Sequence, residues 1–327
     1  MAAAPLANTL AKSMPRHRRI LLSRALPASY ASATRAGADY GASDTPDWRS
    51  VPWRAHLRAV TIGGRRVHAV DIGAGAATPV LFVHGLGGRW QNWLENIPRL
   101  AATRRVVALD LPGFGRSQTA RERVTIGGYA ETLDQHCDLL ELDSVVLVGN
   151  SMGGFIAAEM ALRFPERVER LALVSAAAVS IADFNPLPAS ALLGAIARTP
   201  FGTDQGARAL LDRPRLRHLA FASLVRHPTL LSRDLLCELA AGRGAPGLGD
   251  ALAAMVSYDM RADLPRIGVP ALIVHGADDM LVPVADSAWL LERLPDARLE
   301  VFEDTGHLAM LERPIRFNDA LLAFADG

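Results

Sequence analysis

From Leu57 onward, apolar and polar positions follow two rhythms that take turns along the chain. "AVTI" (59–62) and "RRVHAVDIG" (65–73) flank Gly63 and Gly64 and predict a β-hairpin. Six further runs follow: "PVLFVHG", "RRVVALDLPG", "SVVLVGN", "VERLALVSA", "PALIVHG" and "ARLEVFED". They are short and rich in Val, Leu and Ile. Strands buried on both faces of a parallel sheet have this pattern. Between them, Trp93–Ala102, Thr125–Leu142, Met152–Phe164 and Val284–Leu294 carry helical spacing. Strand–helix alternation of this kind predicts an α/β sheet with helices on both sides.

The alternation stops once, between 177 and 266. Leu/Ala-rich pieces there (Ser190–Arg198, Gln205–Leu211, Thr229–Ala240 and Asp250–Tyr258) are separated by Pro and Gly. They predict a helical insertion between two strands of the sheet. Residues 1–38 hold Lys12, Arg16, Arg18, Arg19, Arg24 and Arg35 and no acid. Their one apolar cluster, Ile20 to Leu22, is too short for a secretory core. The expectation is a basic, disordered arm over 1–50, with targeting or membrane-surface association as the competing reading. A core over 51–176 and 267–327 and an insertion over 177–266 complete the division.

Composition removes several classes of function. The formal net charge of +1, without a basic stripe, gives no footprint for nucleic acid. No apolar run approaches the ~18–20 residues that cross a bilayer, so no stable membrane insertion is expected and the compartment is read as cytoplasmic. Cys137 and Cys237 stand 100 residues apart in helical stretches and read as free thiols. No Cys/His spacing suggests a metal, and no metal or cofactor is expected.

What remains is nucleophilic chemistry. Gly149-Asn150-Ser151-Met152-Gly153 fits G-x-S-x-G between a strand and a helix, the setting that motif requires. Small residues around Ser151 allow a turn tight enough to leave its hydroxyl standing clear, and the following helix start favours negative charge beside it. A nucleophilic serine needs a base, an acid to orient the base, and donors for an oxyanion. His307, in "FEDTGHLAMLERP", stands after the last predicted strand and is the base candidate. His84 and His275 end strands before Gly and read as structural. Asp278 and Asp279 in "VHGADDMLVP" can both reach the strand rim; Asp279 is preferred, with Asp183 as a fallback. Backbone N–H groups of Met152 and of Leu86, in "HGLGG", are the candidate oxyanion donors. Trp90 and Trp93 are candidate pocket residues, with packing of the first helix as the alternative.

Ser151, Asp279 and His307 occur in the order Ser…Asp…His, each just past an apolar strand. With "HGLGG", "DLPGFGRS", "GNSMGG", "HGADDMLVP" and "DTGHLAMLERP" in register, the chain resembles the α/β-hydrolase superfamily across roughly residues 57–325. The resemblance implies an eight-stranded, mostly parallel sheet with an antiparallel second strand, and a helical cap inserted after the sixth. It implies a small-molecule substrate and an acyl-enzyme mechanism. Serine at the elbow argues against epoxide hydrolases and haloalkane dehalogenases, which carry Asp there. A carboxylesterase acting on a small or medium apolar ester is the leading expectation. The alternatives are a carbon–carbon hydrolase of ring-fission products, which "GNSMGG" also resembles, an acyltransferase or perhydrolase, and a non-catalytic receptor on the same fold.

Overall fold

Eight strands form one sheet in the order β1-β2-β4-β3-β5-β6-β7-β8 in the computed structural model, which describes residues 36–120, 122, 124–176, 211–242 and 244–327. The strands are β1 (Leu57–Ile62), β2 (Arg65–Ile72), β3 (Ala77–Val83), β4 (Arg104–Leu109), β5 (Val145–Asn150), β6 (Val168–Val174), β7 (Ala271–Gly276) and β8 (Ala297–Phe302). β1 and β2 close the expected hairpin, with Ile62 opposite Arg65. β2 also runs antiparallel to β4, and every other neighbouring pair is parallel. The antiparallel second strand is therefore present as the resemblance implied.

Parallel neighbours need crossovers, and the crossover helices cover both faces. Among the described residues, the helices of five or more residues are α1 (Ile97–Ala101), α2 (Ile126–Leu139), α3 (Met152–Arg163), α4 (Pro214–Phe221), α5 (Arg233–Ala240), α6 (Leu248–Val256), α7 (Val284–Leu291) and α8 (Pro314–Ala325); single helical turns stand at Trp53–His56 and Ala309–Glu312. On β5, Val145 and Leu147 join a core with Leu133 of α2, Ile156 of α3 and Leu290 of α7. Val146 and Val148 point the other way, into a core with Ile97 of α1 and Phe317 of α8. All four β5 residues are fully buried, each worth about 1.5–3 kcal/mol of transfer free energy. The continuous apolar run of β5 is thus two period-2 patterns superimposed.

α3, expected over Met152–Phe164, spans Met152–Arg163, and α2 and α7 lie within their expected ranges. The helix expected over Trp93–Ala102 is instead a 3₁₀ turn at Trp90–Trp93 followed by α1. Pro98 falls in the first turn of α1, where a missing N–H costs nothing. Between β6 and β7 the described residues form α4, α5 and α6. α4 was not anticipated; Pro214 opens it at the first position, and the arginines around that proline belong to a helix. The helices expected at Ser190–Arg198 and Gln205–Leu211 fall, except for Leu211, outside the described residues.

The arm expected over 1–50 requires a correction at its C-terminal end. Residues 1–35 lie outside the described residues, but 36–50 pack against the core as a strap. Ala36, Tyr40 and Trp48 are buried. Trp48 Nε1 and Ser43 Oγ both donate to Glu95 Oε1, at 2.9 and 3.0 Å. Gly41 N donates to Glu312 O at 2.8 Å, and Asn318 Nδ2 to Asp44 Oδ2 at 3.0 Å. Composition drew the boundary too late because the basic, acid-free stretch ends before Asp39. The two aromatic residues beyond it supply enough apolar surface to dock.

Candidate active site

The strand β5 ends at Asn150, and Ser151 reverses the chain into α3 with φ 54° and ψ −117°. A non-glycine residue held there stores about 1–3 kcal/mol of backbone strain. The glycines around it are steric necessities. A Cβ on Gly149 would lie 2.2 Å from Gly153 O, and one on Gly153 would lie 2.3 Å from Val83 O. Asn150 is buried, and its Nδ2 donates to Val174 O at 3.1 Å, tying the end of β5 to β6. Ser151 N donates to Val174 O at 2.9 Å, so the elbow is held from two successive residues.

The loop after β3 abuts this elbow. A Cβ on Gly85 would sit 3.1 Å from Ser151 Cβ and 3.1 Å from Asn150 O. Gly88 N donates to Gly85 O at 3.0 Å, and Gly87 takes φ +71°, as the third residue of a type II turn does. That bond leaves the Leu86 N–H unused by the turn. Met152 is the first residue of α3, so its N–H has no partner within the helix. These are the two donors that the sequence proposed for an oxyanion, on the two segments that meet at Ser151.

His84 braces the loop from beneath. Leu111 N donates to its Nε2 at 3.0 Å, so its Nδ1 carries the proton and donates to Gly85 O at 2.7 Å. Burial pushes the His84 imidazole down, against the Gly85 carbonyl and Asp110. A neutral ring is the form that both bonds need. Asp110 accepts from Trp90 N and Arg116 N, each at 2.9 Å, so "DLPGFGRS" locks the same loop.

On the other side, His307 Nδ1 lies 2.7 Å from Asp279 Oδ2, and the Asp279 side chain is fully buried. The other carboxylate oxygen accepts from Leu281 N and Val282 N at 2.8 and 3.0 Å. Burial pushes the Asp279 carboxyl up, but His307 and His275 outweigh it and hold the group well below the usual carboxylate range. The charged form therefore fixes the proton on His307 Nδ1 and leaves Nε2 to act as acceptor. Asp278 diverges instead toward Arg226, 3.5 Å from its Nε. Asp183 lies outside the described residues. His275 is buried between Ser287 Oγ at 2.5 Å and Val282 O at 3.0 Å, a structural position.

The pocket assignment of Trp90 and Trp93 is corrected. Trp93 has no exposed surface and stacks on Phe82 at 4.4 Å, with Phe317 at 6.3 Å. Trp90 is 6% exposed and packs on Trp53 at 5.1 Å. Both indoles belong to the same buried apolar cluster, the packing role that was the alternative reading. Sequence reasoning also passed over Glu312. An acid in the apolar run "HLAMLERP" was a readable signal: Glu312 is fully buried and accepts from Gly306 N and Leu308 N on either side of His307.

Among the described residues no group of three or more His, Cys, Asp or Glu gathers to hold a metal. Among them, too, no helix is long and apolar enough to cross a membrane. Cys137 and Cys237 are not joined in a disulfide.

A family model described as the alpha/beta hydrolase fold matches residues 78–314. The chain is 32% identical over 272 residues to the dihydrolipoyllysine-residue acetyltransferase component of the acetoin cleaving system of Pseudomonas putida, covering 80% of this chain and 67% of that protein. It is 33% identical over 285 residues to the 2-hydroxy-6-oxo-2,4-heptadienoate hydrolase of a Pseudomonas putida strain, covering 81% and 96%. Among solved structures, a membrane phospholipase A, a bacterial virulence factor, matches with TM-score 0.67 and 26% identity over 94% of this chain and 96% of its own.

Proposed function

The chain belongs to the α/β-hydrolase fold family, and on that premise we propose that it is a serine hydrolase working through an acyl-enzyme, with carboxylic esters as substrates. The observation that carries this reading is a strained serine packed against one loop with spare N–H groups, on the same strand rim as a histidine bonded to a buried carboxylate. In this mechanism His307 Nε2 takes the proton of Ser151 Oγ as the hydroxyl attacks the acyl carbonyl. Asp279 holds the tautomer and stabilises the imidazolium. The N–H groups of Leu86 and Met152 receive the oxyanion, each donor contributing about 2.7–4 kcal/mol to the transition state. His307 returns the proton to the leaving alkoxide, then activates the water that releases the acid. The insertion after β6 serves as the cap over this rim.

The ester reading draws on the phospholipase match, which covers 94% of this chain. A second reading, hydrolysis of a carbon–carbon bond in a ring-fission product, draws on the 33% identity to the heptadienoate hydrolase. The same serine, base and oxyanion donors serve either bond. The test is covalent labelling by a fluorophosphonate, with Ser151→Ala as the comparison. Labelling that persists in the alanine variant overturns the serine mechanism. A p-nitrophenyl ester series set against a coloured ring-fission dienone separates the two substrate classes.

A further inference from the structure

We propose that Glu312 and Tyr40 are positioning residues for His307, through which the N-terminal strap sets the geometry of the active-site loop. This rests on His307 being the base described above. The residues from Thr305 to Leu308 lie in neither strand nor helix, so their backbone donors must find partners in other segments or side chains. Gly306 N donates to Glu312 Oε1 at 3.0 Å and Oε2 at 2.9 Å, and Leu308 N reaches Oε1 at 3.3 Å. His307 N, between them, donates to Leu224 O at 3.0 Å, in the insertion after β6. Leu308 N also donates to Leu224 O, at 3.2 Å, so three consecutive donors are fixed jointly by the Glu312 carboxylate and the Leu224 carbonyl.

That side chain is itself held by two other segments. Arg226 N donates to Glu312 Oε2 at 2.7 Å, and Tyr40 Oη donates to the same oxygen at 2.6 Å. The Tyr40 oxygen in turn accepts from His227 N at 2.7 Å. The segments meet closely here: a Cβ on Gly306 would lie 2.9 Å from Arg226 N and 3.1 Å from Glu312 Oε1. Three of the four groups that touch the carboxylate are backbone N–H groups, which can only donate; the Tyr40 hydroxyl is the fourth. Loss of one donor would weaken the hold on the carboxylate and slacken the loop that carries His307.

The surroundings set how narrowly the charged form is kept. Burial pushes the Glu312 carboxyl up to about 7, and the Tyr40 hydroxyl and the N–H groups of Arg226 and Gly306 oppose it, while Asp279 adds to the rise. Arg313 lies over the Tyr40 ring at 4.9 Å and pairs with Asp39 at 2.6 Å. The His227 ring lies 5.1 Å from the Tyr40 ring, and its Nε2 is 2.8 Å from Asp304 Oδ2. Of the four donors only Tyr40 gives a side-chain group, and it is the one a substitution can remove without cutting the backbone.

The experiment uses the full chain with Tyr40→Phe and Glu312→Gln, and Ser50→Ala at the exposed end of the same strap as the control. kcat and KM on p-nitrophenyl butyrate are read against a Ser151→Ala blank. The proton on His307 Nδ1 is followed by NMR and assigned by its loss in His307→Gln. Tyr40→Phe keeps the ring between His227 and Arg313, so it decides the matter if Glu312→Gln does not fold. The expected result is a fall in kcat of about 10- to 100-fold, with KM little changed and the His307 resonance moved or broadened. Ser50→Ala leaves both as in wild type. A folded Tyr40→Phe protein in which kcat and the resonance do not change together overturns the proposal, even if its melting temperature falls. If turnover proves independent of Ser151, the hydrolase reading fails and the resonance alone decides this one.

Discussion

Gly153→Ala separates a steric reading of the elbow from every argument based on helix propensity. Gly153 is the second residue of α3, and in an unobstructed helix alanine would be favoured by roughly 0.5–1 kcal/mol. Here the new methyl would meet Val83 O at 2.3 Å and His84 O at 2.7 Å, against ordinary contact starting at 3.4 Å. Both obstacles are backbone oxygens at the end of β3, where the chain enters the loop carrying Leu86, and neither can rotate away. Relief requires α3 and that loop to separate by up to about 1 Å, the shortfall against Val83 O. Overpacking of this kind costs about 1–3 kcal/mol, and a displacement of about 1 Å at a catalytic constellation costs about 100-fold in rate. Gly249→Ala, in α6, is the matched control, because nothing lies within 4 Å of its added methyl. It should be neutral or stabilise by about 0.4–1 kcal/mol. Thermal melts and fluorophosphonate labelling rates measure both effects. Wild-type melting and labelling in Gly153→Ala would refute the steric account.

Asp279→Asn should lower kcat about 10⁴-fold, by stabilising the wrong imidazole tautomer, whereas Asp278→Asn should keep kcat within a few-fold in ester turnover assays. Because the folded-state pKa of Asp279 is depressed, its stabilising contribution is present above the ordinary value of 3.8 and is lost as the pH falls through the folded value. Melting temperatures below pH 4 should therefore fall more steeply in wild type than in Asp279→Asn. Asn150→Ala removes the side-chain bond to Val174 O, which keeps its bond from Ser151 N, and should cost about 0.5–1.5 kcal/mol in urea unfolding. Trp93→Ala should destabilise by about 3–5 kcal/mol while leaving KM near wild type, and a large KM change with intact stability would restore it to the pocket.

Much of the site was legible in the sequence because its parts are local. The turn at Ser151 needs glycines at fixed offsets, so the steric requirement is written into five adjacent residues. The strands before Leu86, Ser151 and Asp279 announce themselves by four apolar positions in a row, whereas β8, before His307, is interrupted by Arg298 and Glu300. Asp279 was preferred to Asp278 from its place in a loop, but only the packed structure sends one carboxylate to His307 and the other to Arg226. Trp90 and Trp93 misled because chain proximity to the loop at Gly85 says nothing about which way an indole turns. Phe82, on the strand before them, takes Trp93 into the core.

By itself the sequence determined the sheet, the elbow and the order of the three candidate catalytic residues, since these follow from short-range pattern and sterics. Tertiary structure alone decided that Tyr40 meets Glu312 across 272 positions, that Leu224 holds His307, and that residues 36–50 dock on the core through Ala36, Tyr40 and Trp48. These contacts join buried donors to acceptors far away in the chain. A buried donor must find some partner, but no local pattern records which one the fold brings within reach.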